Sequence, residues 1–296
     1  MSVGASVATP AGVERMTVGR IGGGPAALIA TGVLFALLFF QPFVSLLQDW
    51  WSNPEAGHGL LLAPVAVWLA WRGRGGIEIA PAPRLGLLII AGAVLLRYAS
   101  GLAAEQFTMR GSMLLALAGL VVYYAGLRRA LAWWLPFAIL ALSVPLPEVI
   151  LNSVAMPLQL KASAMGAALL ETRHVPVALH GNVIYLPGHR LFVTEACSGL
   201  RSLTALLSLG VLAGGLWLRT PLARIGLLAL AIPVAVLLNG IRVFLTGFLV
   251  YYVSPALGDG FMHMTEGWLL FVVAFAILGG IAWALTLVEK RWARPS

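Results

Sequence analysis

The chain has 296 residues, 60% of them hydrophobic and only 10% charged, with a mean hydropathy of +0.94. Soluble domains carry about 25% charged residues, so this composition excludes a water-coated globular fold. A formal net charge of +8 invites a nucleic-acid partner, but the placement of the charges excludes one, as set out below. The single cysteine, Cys197, excludes an intramolecular disulfide and any cysteine-based metal cluster.

Residues 1–25 are small and polar, lack an apolar signal-peptide core, and are expected to form a disordered cytoplasmic N-terminus. A single transmembrane domain is expected over 26–288, and 289–296 reads as a cytoplasmic basic tail. Apolar runs at 26–47, 59–71, 85–102, 111–126 and 130–144 approach the length needed to cross about 30 Å of hydrocarbon. The stretch 145–196 is mixed. Helical apolar spacing over 148–170, interrupted by Asn152, Gln159 and Lys161, suggests an interfacial or partly inserted helix. Apolar residues from Val175 to Thr194, punctuated by His180-Gly181-Asn182 and Pro187-Gly188, suggest a small β-hairpin. Further runs at 198–218, 222–253 and 265–288 bring the expected total to eight crossings. The 222–253 run is open between one long helix and two halves broken near Pro233 and Gly240. The fold class is thus an all-α polytopic membrane protein with a small hairpin and amphipathic-helix insertion before span six.

Charge placement fits that threading. With both termini cytoplasmic, inside segments hold twelve Lys and Arg, outside segments only Arg110, Lys161, Arg173 and Arg190. The positive-inside rule accounts for this bias. The basic balance is therefore topology, and no nucleic acid is expected as a partner.

Three spans bring chemistry to the outer boundary. Cys197 stands where span six begins. A helix N-terminus and Arg201 one turn on favour its thiolate, whereas Glu195 opposes it. The bland alternative is a small buried hydrophobe, but an unpaired thiol on an oxidising face is a liability without a use. Arg242 lies in an apolar run, where arginine costs about 2.5–3.5 kcal/mol on insertion scales. Snorkelling to lipid phosphates is its alternative, and Asn239 is one turn away to orient it. His263 opens the last span on the same side. Cysteine and histidine are the minimum for thiol nucleophilic catalysis, and a nearby cation stabilises an oxyanion.

The other candidates are weaker. His58 precedes the second span, where it either lines a site or binds headgroups. His174, His180 and His189 read as loop residues, and no spacing matches a zinc motif, so neither metal nor cofactor is expected. Arg97 is a second intramembrane cation, with Glu105 a candidate partner. Ten tryptophans suit interfacial belts.

At these residues the sequence resembles the exosortase/archaeosortase family, bacterial exosortase branch, from about Trp50 to Gly267. Glu195-Ala196-Cys197-Ser198-Gly199-Leu200-Arg201 is similar to the family's nucleophile motif. Asn239-Gly240-Ile241-Arg242 looks like its Asn-x-x-Arg element, and His263 with Gly267 like its His-x-x-x-Gly element. His58-Gly59 and Val144-Pro145-Leu146-Pro147-Glu148 are also family-like, although Ala56-Gly57 stands where Tyr-Ser is frequent. The resemblance implies a membrane cysteine transpeptidase with Cys197 as nucleophile and Arg242 and His263 as the other catalytic positions. It implies substrates too: exported proteins whose C-terminal tail runs from a Pro-Glu-Pro-like motif through a transmembrane helix to a basic cluster. The expected location is the bacterial inner membrane with the site facing outward, among membrane lipids, and with an amine or lipid as a possible acceptor. Other classes stay open. One is a membrane acyltransferase or a hydrolytic thiol protease, and another is a non-enzymatic polysaccharide-export or transport subunit.

Overall fold

The computed structural model describes residues 24–53, 56–73, 75, 78–193, 200–254 and 261–292. The helices in chain order are α1 (Pro25–Leu38), α2 (Phe40–Ser52), α3 (Gly59–Arg72), α4 (Pro83–Leu102), α5 (Gln106–Ala125), α6 (Leu127–Ala132) and α7 (Trp134–Leu142). After α8 (Glu148–Glu171) come three strands, β1 (Ala178–His180), β2 (Val183–Leu186) and β3 (His189–Phe192). Then follow α9 (Leu200–Trp217), α10 (Pro221–Tyr252) and α11 (Phe261–Trp292).

The count of eight spans is not confirmed. Among the described residues, α4, α5, α10 and the Val272–Arg291 part of α11 are each long and apolar enough to cross a membrane, and α1 with α2 would make a fifth. Two of the expected spans are broken, for one physical reason. Proline has no N–H and its ring clashes with the carbonyl four residues back. Pro42 sets that carbonyl at Leu38, where α1 ends, and α2 leaves at an angle of 64°. Pro136 sets it at Ala132, where α6 ends before α7. Pro64, Pro157 and Pro233 instead lie inside continuous helices. The run left open between one helix and two is accordingly a single 32-residue helix, α10. The last helix also continues past residue 288, to Trp292.

The expected hairpin is a three-stranded antiparallel meander, with Ile184 paired to Leu179 and to Leu191. Its two connections are two residues each, and Gly181 (φ 62°) and Gly188 (φ 78°) take the left-handed conformations such tight turns require. Ile184 and Leu186 turn inward onto α8 and α10, joining Leu170, Val243 and Val250 in one buried cluster.

The 148–170 helix is α8, and it does more than lie at an interface. It packs parallel to the second half of α10, with Met165 on Gly240, Gly166 on Val243 and Leu170 on Gly247. Small residues at these positions let the backbones approach, the usual way of joining helices where lipid is the solvent. The α4–α5 pair follows the same rule: a Cβ at Gly86 would stand 2.6 Å from the Tyr123 backbone nitrogen.

Candidate active site

The α9, α10 and α11 helices form an up-down-up bundle around Leu206, Leu227, Ala231, Leu278 and Ala282. Three residues join α9 to α10, and the last turns of α11 fasten onto that join. The Glu289 carboxylate accepts from the Arg219 and Thr220 backbone N–H groups and from the Thr220 hydroxyl. Thr220 in turn caps α10 by accepting from Ala223 N–H. This latch gives a common origin for depth. At 1.5 Å per residue, α9 begins about 26 Å from it, Arg242 stands at about 32 Å, and the His263 backbone at about 39 Å. Arg242 and His263 therefore lie toward the bundle end from which α9 starts.

Cys197 and Glu195 lie outside the described residues. Arg201 and His263 are in the first turns of α9 and α11, with backbones described and side chains not. Arg242 is half-buried, and its carbonyl accepts from the Thr246 hydroxyl. Asn239 is 6% exposed, and its Nδ2 has no hydrogen-bond partner among the described residues. A buried amide donor left open is costly. His180 stacks edge-on against Tyr185, and His189 is in β3.

His58 is in a different place. It stands just before α3 with its Nε2 3.3 Å from the Leu142 carbonyl, and lines a chamber of about 780 Å³ together with Asp49, Asn53, Glu105, Arg110 and Thr204. The chamber's far wall is α9, and Thr204 stands about 20 Å from the latch. Arg242 and Asn239 do not line the chamber. Gly59 beside it is required by packing, because a Cβ there would collide with the Trp50 indole.

The charged side chains correct one expectation and add an ion pair. Arg97 donates to Gln41 Oε1 at 2.8 Å, and Glu105 is not its partner. Glu105 caps α5 instead, accepting from Phe107 N–H at 2.9 Å, Thr108 N–H at 2.7 Å and the Thr108 hydroxyl. Arg110, which reads as an outer loop cation, is buried and paired to Asp49 at 2.7 Å. Gln106 and Ser45 hold its remaining edge. The signal was present: Ser45 and Asp49 are one turn apart on α2 and face one partner.

The Thr108 hydroxyl, followed by the Thr108 N–H, holds the Glu105 carboxyl below its ordinary range. Its folded-state affinity for protons is lower than in the unfolded chain. The capping contribution is therefore complete above the ordinary carboxylate range and fades as pH falls through it toward the folded value. Glu105→Gln is expected to cost about 1 kcal/mol at neutral pH. In detergent, its melting temperature should drop less between pH 7 and pH 3.5 than that of the parent; an equal drop would refute the assignment.

The described architecture is that of a multi-pass helical membrane protein with a charged chamber inside the bundle. A family model for transmembrane exosortases matches residues 50–280, and the chain belongs to that family. Membership carries a membrane transpeptidase-like role in general terms. No curated protein and no solved structure matches the chain.

Proposed function

We propose that this chain is a cysteine transpeptidase that cuts the C-terminal sorting tail of exported proteins at the outer face of the inner membrane. The Cys197 thiolate attacks a peptide carbonyl just outside the tail's transmembrane helix. The C–N bond breaks, a thioester forms, and His263 gives a proton to the departing amine. Arg242 stabilises the thiolate or the oxyanion. An amine or water then attacks the thioester, its N–H or O–H proton passes to the sulfur, and the thiol is regenerated. The observation that carries this reading is the shared end of the bundle. What supports it is that the start of α9, Arg242 and the first turn of α11 all lie toward the bundle end opposite the Glu289 latch.

Co-expression with a protein bearing a motif–helix–basic tail tests it. The parent chain is expected to yield a tail-cleaved product, and Cys197→Ala none. Normal processing by Cys197→Ala would sink the proposal. Product mass separates the outcomes: an added amine or lipid means transfer, and a free carboxylate means hydrolysis.

A further inference from the structure

The latch end of the bundle holds a cavity of its own, of about 570 Å³, between the end of α9 and the last turns of α11. Gly279, Trp283, Thr286 and Lys290 line it from α11. Their spacing of four, three and four residues sets them in one stripe along one face of the helix. Over about 16 Å the stripe passes from a bare glycine through an indole and a hydroxyl to an ammonium. Trp217 and Arg219 line the cavity from the end of α9. The Arg219 N–H donates to Glu289, so Arg219 stands at the Lys290 end of the stripe. The cavity is therefore apolar at one end and carries two cations at the other.

Length decides what kind of molecule fits. Half of a hydrocarbon core is about 15 Å, so the stripe has the reach of one leaflet and not of a crossing helix. Gly279 leaves room for a chain, since a Cβ there would meet nothing within 4 Å. Trp217 and Trp283 are 55% and 65% exposed, which opens the cavity to surrounding lipid. Charge decides the head group. Among the described residues, Glu289 is the one carboxylate lining the cavity. It is taken up by the Arg219 and Thr220 N–H groups and the Thr220 hydroxyl. The other charged residues in 217–224 and 283–296 are Arg219, Arg224, Lys290, Arg291 and Arg294, all cationic. Outside the described residues, 1–23, 74 and 293–296 hold Arg15, Arg20, Arg74 and Arg294 against Glu14, a balance of the same sign.

We infer that this cavity holds one anionic phospholipid, its phosphate between Arg219 and Lys290 and an acyl chain laid along the stripe to Gly279. A phosphate there ties α11 to the α9–α10 join, the same two parts that Glu289 fastens. The lipid is a second clasp on the latch. The sidedness expected from the basic residues makes it a lipid of the cytoplasmic leaflet, where basic pockets between membrane helices bind anionic head groups. The site is independent of the proposed cleavage chemistry.

Native mass spectrometry and thermal melting of the full chain in detergent, with phosphatidylglycerol or phosphatidylcholine added, test the site. Phosphatidylglycerol is expected to stay bound as a single copy and to raise the melting temperature by about 5 °C, and phosphatidylcholine to do neither. Arg219→Gln with Lys290→Gln is expected to abolish the shift. The latch uses the Arg219 backbone and so persists in that variant. Gly279→Leu keeps every charge, adds a better helix former and fills the apolar end, and it too is expected to lose most of the shift. Arg84→Gln removes an exposed cation of α4 that does not line the cavity, and it should keep the shift whole. A shift unchanged in both cavity variants, or lost equally in Arg84→Gln, overturns the site. An equal shift from inorganic phosphate overturns it as well, because the apolar end would then have no part in binding. A dimer mass that Gly279→Leu abolishes would make a second copy of the chain the occupant and overturn the lipid.

Discussion

Arg242→Lys is expected to lower kcat for tail cleavage by about 10²–10³-fold while leaving KM within a small factor. That range is what a single preorganised charge-stabilising donor supplies to acyl transfer. Lysine keeps the charge but loses the rigid planar fork, so the loss reads geometry rather than charge alone. The same variant separates the two roles open to the guanidinium. If it stabilises the thiolate, alkylation of Cys197 by iodoacetamide shifts to higher pH in Arg242→Lys. If it stabilises the oxyanion, the alkylation profile stays in place while kcat falls. Processing at the parent rate would remove Arg242 from the chemistry. Thr246 and the small-residue seam with α8 hold the backbone here, so the variant is expected to fold.

Asp49→Ala is expected to be the most destabilising single change in the chamber, at about 3–5 kcal/mol. It leaves the Arg110 guanidinium, 5% exposed, without its carboxylate. Ser45 and Gln106 remain as neutral partners, and neither supplies a countercharge. Asp49→Ala with Arg110→Met removes the stranded charge and should recover most of the loss, because buried pairs are readily replaced by packed apolar groups. Thermal melting of the detergent-solubilised chain measures both. A double variant no more stable than the single one would show that the guanidinium's packing, not its charge, carries the effect.

The sequence made the long helices legible because their apolar runs have the length a bilayer demands. The meander was legible because Gly181 and Gly188 sit at the turns between β-favouring runs. The breaks at Phe39 and Trp133 were missed, since hydropathy averages over a proline that acts four residues upstream. Pro233 shows why composition alone does not decide: it lies in the middle of a continuous helix. Arg110 was misplaced for a related reason. The α5 helix begins five residues earlier than its apolar run, at Gln106 rather than 111, and so draws a supposed loop cation into the bundle. The candidate residues Cys197, Arg242 and His263 stood out by chemistry and position. That His58 lines a chamber which Arg242 does not was not legible, because which residues share a cavity depends on how the helices pack.

The Glu289 latch gives the last helix a reading frame. Between Glu289 and His263 the α11 helix runs about 39 Å with one end tied to the α10 cap. Inserting one alanine into that length would turn everything beyond it by about 100° and advance it about 1.5 Å. The first turn of α11 would then present a different face to its surroundings although nothing in that turn had changed. A carboxylate at the far end of the bundle thus acts as the index mark for the angular setting of that whole helix.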